Sequence, residues 1–149
     1  MTASSIEDAL ARLVPLPPAS LAAMAATCGA RSFAAGAHLL RGGDQAVWSF
    51  CLTDGLVREY YVDEDGAQHT RSFVAAGGLT GSLRDLLSGE PSVTFIEALE
   101  PTEVIVWRYA DMVALYDAHP ALERAARQAA EALYVKKARR EHEDRKSVV

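Results

Sequence analysis

The pattern of apolar and polar positions divides the chain into three stretches. In residues 4 to 30, Ile6, Leu10 and Leu13 recur at helical spacing behind Ser4 or Ser5, either of which can cap a first helix. "PLPP" at 15 to 18 breaks it, and Pro18 or Ser20 starts a second helix predicted to run through Leu21 and Met24 to about Cys28. From 31 to 107 the glycines take over: Gly36, Gly42-Gly43, Asp54-Gly55, Asp65-Gly66, Gly77-Gly78, Gly81 and Gly89 leave mostly strand-sized gaps, the spacing of an all-β barrel or sandwich. "LVREYYV" (56 to 62) and "AQHTRSFV" (67 to 74) flank "DEDG" and predict a hairpin. "TFIEALE" and "TEVIVWRY" flank "PT" and predict a second. Beyond residue 110 the helical period returns. "YADMVALYDAHP" reads as a short helix ended by Asp117 or His119 before Pro120, and the rest as one long helix. Its stripe of Leu122, Ala125, Ala126, Ala129, Ala130 and Leu133 either folds back on the β-region or pairs with its copy in a second chain.

The expected organisation is therefore a single domain over residues 1–149: N-terminal helices at 1–30, a β-region at 31–109 and C-terminal helices at 110–146. Half the residues are apolar, enough for a core, and the net charge of -5 removes any general reason to expect nucleic-acid binding. The basic excess of "VKKARREHEDRK" reads as a solvated helix end with cations near the negative end of the dipole. Cys28 and Cys51 sit among apolar residues and read as two buried free thiols of a cytoplasmic protein. No apolar run reaches the ~18 residues of a membrane span, and the N-terminus reads as a capped helix, not a targeting segment.

The stretch "GGLTGSLRDLLSGEPSVTFIEALE", residues 77 to 100, carries the candidate chemistry. Its glycines let a backbone approach a ligand closely, and a short helix at 82 to 87 aims N–H groups at the same place, the layout of an anion-holding loop.

Helices, a glycine-punctuated β-region with a short helix inside it, and a long terminal helix: in this order the chain resembles the effector domain of the Crp/Fnr regulators, the cyclic-AMP receptor type. "FAAGAHLLRGGD" is similar to the family's strand-turn signature, and Gly55 opens "GLVREYY" at the family's distance. "VDEDGAQHTRSFVAAGG" is similar to its β-hairpin, and "AAGGLTGSLRDLLSGEPSVTFIEALEPTEVIVW" aligns without a gap with its phosphate-binding cassette. Pro120 matches the start of its long helix, so the resemblance covers roughly residues 20 to 140.

The resemblance implies a mainly β fold with flanking helices: a jelly-roll-like β-roll of about eight strands plus a long C-terminal helix. It places the ligand pocket at Gly81, Ser82, Leu83, Arg84, Ser92, Val93 and Thr94, while the apolar stripe itself puts dimerisation on Leu122, Ala125, Ala126, Ala129 and Leu133. Where cyclic-nucleotide binders of this family carry a Glu for the ribose and an Arg for the phosphate, this chain has Ser82 and Ser92, and Val93-Thr94 replaces a small polar pair. Each lost hydrogen bond to a charged group costs roughly 1.5–3 kcal/mol, so cyclic AMP is not favoured, although backbone donors still suit a small anion. Lys137-Ala138 stands where the receptor sets a Thr-Ser pair against adenine. The reading is thus a ligand-sensing effector domain of a Crp/Fnr-type transcriptional regulator with a degenerate pocket and no cofactor. It forms a homodimer through the last helix, and DNA contact is left to a helix-turn-helix domain not found in these residues. The alternative is a stand-alone, non-enzymatic domain acting by protein–protein contact through that helix.

Other chemistry ranks lower. A cupin-type metal site needs a His-x-His pair, which His38, His69, His119 and His142 do not supply, although His38 and His69 can meet if their strands neighbour. His119 reads as a helix end and His142 as solvated. Ser82 lacks the second glycine of a nucleophile elbow, and Cys51 reads as core, so no enzyme is expected. Arg58 and Arg71 read as solvated strand positions, while Arg84 points either into the pocket or out. Trp48, Phe50, Tyr60, Tyr61, Phe73 and Trp107 read mostly as core or hairpin-face aromatics.

Overall fold

The computed structural model describes residues 3–147. Two helices, α1 (Ala3–Leu13) and α2 (Pro18–Ala26), lead into strands β1 (Cys28–Phe33), β2 (His38–Leu40), β3 (Trp48–Asp54), β4 (Leu56–Val62), β5 (Gln68–Ala75) and β6 (Leu79–Thr80). The short helix α3 (Leu83–Ser88) is followed by β7 (Phe95–Ala98) and β8 (Thr102–Arg108), then by α4 (Tyr109–Val113) and the long α5 (Pro120–Ser147). The strands form two antiparallel four-stranded sheets, ordered β1-β8-β3-β6 and β2-β7-β4-β5. This is the expected mainly β roll with flanking helices and a long C-terminal helix.

The burial pattern explains why "VIVW" is continuously apolar. Val104 and Val106 face the second sheet and pack with Phe33, Phe50, Leu52, Val57, Ile96 and Ala98. Ile105 and Trp107 face the other way, against Ile6, Leu10, Met24, Met112 and Leu122. A strand covered on both faces needs apolar side chains at every position. Leu122 anchors the start of α5 on this helical layer, where the carbonyl of His119 accepts the N–H groups of Leu122 (2.9 Å) and Glu123 (3.4 Å). His119 therefore opens α5 as well as closing the turn before it, and its Nδ1 lies 3.1 Å from Ser20 Oγ.

Several expectations need correction. β1 begins at Cys28, inside the stretch assigned to helices, because Cys28–Phe33 finds a partner in β8 (Cys28↔Trp107 to Phe33↔Thr102). Ser4 and Ser5 lie within α1 instead of before it. The "DEDG" hairpin forms as expected, with β4 on β5; Asp63 Oδ1 accepts the N–H groups of Asp65 and Ala67, both at 2.9 Å, and Gly66 takes φ 84°. The "PT" hairpin does not form. β7 pairs with β2 and β4, while β8 pairs with β1 and β3, so Glu100-Pro101 is a corner between sheets. Thr102, fully buried, holds that corner by donating to Glu100 O at 2.8 Å. Gly55 passes against it with φ 103°, where a Cβ would sit 2.4 Å from Thr102 Oγ1. Trp48 and Phe73 are exposed, 42% and 57%, not core. No helix among the described residues is long and apolar enough to cross a membrane.

Candidate ligand cavity

The cassette takes its shape from local sequence. After β5 the chain turns at Gly77 (φ 90°), and β6 pairs with β3 through Phe50↔Thr80 and Cys51↔Leu79. At Gly81 (φ 140°) a Cβ would lie 2.8 Å from the carbonyl oxygen of Trp48, so only glycine lets the chain pass. Ser82 follows with φ 55°, the one non-glycine residue with positive φ among those described. Such a conformation costs of order 1–3 kcal/mol and persists where its surroundings hold it. α3 then runs to Gly89, a left-handed C-cap whose N–H reaches Asp85 O at 3.1 Å. Beyond it the strand start is strapped to the 43–45 loop: Ser92 N–H to Asp44 O at 2.8 Å, and Gly43 N–H to Ser92 O at 2.7 Å.

What holds Ser82 is Asp85. This carboxylate is 3% exposed, and its Oδ2 accepts from Ser82 Oγ and from Ser92 Oγ, each at 2.7 Å. Ser92 Oγ in turn accepts the Thr94 N–H at 3.0 Å and lies 2.9 Å from Thr94 O, while Thr94 Oγ1 is 3.4 Å from Ser82 Oγ. A desolvated carboxylate needs such partners. The structure thus brings Ser82, Ser92 and Thr94 together around an internal carboxylate. Arg84 and Val93 do not join them: both are exposed. One residue along a helix is a rotation of about 100°, so placing Asp85 inward places Arg84 outward.

On the other side of the cassette lies a cavity of about 440 Å³ between the roll and α5. Thr80, Gly81, Ser82 and Leu83 line one wall, with Leu79, Leu86 and Leu87; Ala125, Ala126, Ala129, Ala130 and Leu133 of α5 line the other; Met24, Trp107, Met112 and Tyr116 close an end. The wall is mostly apolar. Glu59 of β4 enters it, hydrogen-bonded to Ser72 on the facing strand and to Thr80 Oγ1 at 2.8 Å. Arg127 also borders the cavity, solvent-exposed and 3.6 Å from Glu131.

Glu59 and Asp85 are the residues of this candidate site that sequence reasoning missed. A signal for Glu59 existed: it lies two positions after the fully buried Val57 on a strand, hence on the inward face. Its neighbour Arg58, expected to be solvated, instead spans the outer face of the second sheet. It pairs with Glu97 at 3.0 Å, donates to Gln68 at 2.8 Å and lies 4.0 Å from the ring centre of Tyr60. Tyr60 stacks on Phe95, and its Oη is 2.8 Å from His38 Nε2. Burial, with Arg41 and Arg58 nearby, pushes the His38 pKa below the ordinary histidine value against the opposing pull of Glu97. His38 and His69 do not meet, since His69 bonds Asp63 at 2.7 Å. Arg71 lies over Tyr61. Among the described residues no group of three or more His, Cys, Asp or Glu is placed to hold a metal ion.

The structure is a β-roll with a glycine-rich cassette facing a long helix across a cavity. Residues 30–119 match the family model of the cyclic nucleotide-binding domain, and the chain belongs to that family. No curated protein matches it in sequence. Among solved structures it is similar to a cyclic nucleotide-binding domain from Methylobacillus flagellatus (TM-score 0.76, 17% identity, 93% of this chain and 83% of that one). It is also similar to the Thermus thermophilus catabolite activator protein (0.71, 20%, 89% and 60%). A third likeness is the sensor domain of the transcriptional regulator DNR from Pseudomonas aeruginosa (0.66, 19%, 87% and 82%). The chain therefore spans 60% of the length of the Thermus protein.

Proposed function

We propose that this chain is the ligand-sensing effector domain of a cytoplasmic Crp/Fnr-type transcriptional regulator, that it has no catalytic role, and that its pocket is degenerate for cyclic nucleotides. The observation that carries the reading is the cavity shared by the cassette and α5, with Asp85 bound between the two serines that replace the family's charged ligand contacts. An occupant there touches the roll and the helix at once, so binding shifts the angle of α5 to the degree that it prefers one arrangement of the two. The helix transmits this through a two-fold homodimer, and DNA contact is made outside these 149 residues, whose net charge is acidic.

The dimer proposal is refined by burial along α5. Leu122 is buried, and Ala125, Ala126, Ala129 and Ala130 are half-buried beside their own roll. The next turn is not covered: Leu133, Tyr134 and Val135 are 46%, 74% and 46% exposed. That exposed run also favours the second reading, a domain acting by protein–protein contact through α5. Two measurements test the scheme. Calorimetric titration with cyclic AMP is expected to show no binding in the low micromolar range; a complex of that affinity refutes the degenerate pocket. Sedimentation at tens of micromolar is expected to show a dimer that Leu133→Glu dissociates. A wild-type monomer refutes helix-mediated dimerisation.

A further inference from the structure

We infer that the cavity between the cassette and α5 selects an apolar molecule carrying a hydrogen-bond donor and no negative charge, with Glu59 as the residue that sets this preference. The inference rests on the ligand-sensing reading and names the class of ligand it requires. The first ground is shape and lining: about 440 Å³ suits a small organic molecule, and most of the wall is leucine, alanine and aromatic. The second is what meets an occupant at the roll side. Glu59 accepts one hydroxyl from Ser72 and one from Thr80. A carboxylate offers about four acceptor sites, so it retains capacity for a donor on the ligand. The third is charge. Asp85 lies behind Ser82 and uses its hydroxyl, so the serine offers an anion little. The cation that borders the cavity, Arg127, is exposed beside Glu131, and Glu123 borders the same space. An anion would enter toward Glu59 with no buried cation among the described residues of the lining to offset the repulsion. In a partly desolvated cavity such repulsion costs an anion about tenfold or more in affinity.

The test uses two dyes that share one skeleton. N-phenyl-1-naphthylamine has an apolar body and one N–H donor; 1-anilinonaphthalene-8-sulfonate adds an anionic group to it. Fluorescence titration of the full chain is expected to show the neutral dye binding at least about tenfold more tightly. Glu59→Gln keeps size and is expected to shrink that ratio to within about threefold, chiefly by improving the anionic dye. Ala126→Phe, which fills the cavity, is expected to abolish binding of both while the far-ultraviolet circular dichroism is unchanged; Ala130→Phe provides the same test if the first variant does not fold. Equal binding of the two dyes, an unchanged ratio in Glu59→Gln, or unaffected binding in a folded cavity-filled variant overturns the inference alone. Displacement of the neutral dye by low-micromolar cyclic AMP overturns the inference but leaves the ligand-sensing reading standing. Failure of both dyes and of cyclic AMP to bind overturns both.

Discussion

Asp85→Ala removes the group around which the cassette is arranged, and its cost can be worked from the contacts. Two hydroxyls donate to one buried carboxylate oxygen at 2.7 Å. Hydrogen bonds to a charged acceptor contribute roughly 1.5–3 kcal/mol each, a gross loss of about 3–6 kcal/mol. Three offsets reduce it. Ser92 Oγ already lies 2.9 Å from Thr94 O and can turn its proton there, so it is not left without a partner. Ser82 is only half-buried and can recruit water. The carboxylate's own desolvation is also relieved, leaving a net destabilisation of about 2–4 kcal/mol. Urea unfolding followed by tryptophan fluorescence reads this as a lower midpoint at unchanged slope. A double-mutant cycle with Ser92→Ala separates the contact from mere loss of volume, with a coupling of about 1–2 kcal/mol expected. A loss below about 0.5 kcal/mol together with zero coupling would refute the reasoning, because the serines would then not be committed to an internal anion.

Gly55→Ala should cost about 2–4 kcal/mol by the same assay, since the new Cβ would meet Thr102 Oγ1 at 2.4 Å and its Cα at 2.7 Å with φ at 103°; a neutral effect would mean the corner between sheets is pliable. Because His38 titrates below its unfolded value, folding favours the neutral ring, and its contribution is present above about pH 6.5 and lost as the pH falls through the folded value. Stability measured from about pH 7.5 down to about pH 5.5 should therefore decline, and the decline should flatten in His38→Asn; an equally steep loss in the variant would exclude His38 as its source. Cys28 and Cys51, both pushed up to about 11 chiefly by burial, should resist a disulfide reagent near pH 8 in the native protein and react once unfolded. Rapid native labelling of either would contradict that.

The fold was legible wherever local chemistry and tertiary role coincide. "DEDG" makes a hairpin because Asp63 can bond the turn's own N–H groups and Gly66 can take positive φ, properties that need no knowledge of the rest of the chain. "PT" misled for the complementary reason. Two strand-like runs around a proline look alike whether they pair with each other or leave for different sheets, and the decision is made by β1, β3, β2 and β4, far away in sequence. For want of the same information Cys28–Ala30, the first half of β1, reads as a helix end. Its partner is β8, and an edge strand with three exposed positions carries little apolar signal of its own.

The site was legible only as far as resemblance carried it. Ser82 and Ser92 could be named because the resemblance sets them where its cyclic-nucleotide binders carry charged contacts. The structure shows what the two hydroxyls touch. An acid in the first turn of a helix is ordinarily a solvated group near the positive end of the dipole, so Asp85 drew no attention. Burial makes it instead the partner of both serines. Glu59 was hidden in the same way, one position from an arginine that reads as solvated, while strand alternation turned the acid inward and the base outward. Both acids carry the same sign of charge, and each is held by two hydroxyls. One lies beneath the cassette and the other in the cavity wall, so both oppose an anion at this face of the roll. That shared sign, set in an apolar wall, is the ground for proposing an occupant without negative charge.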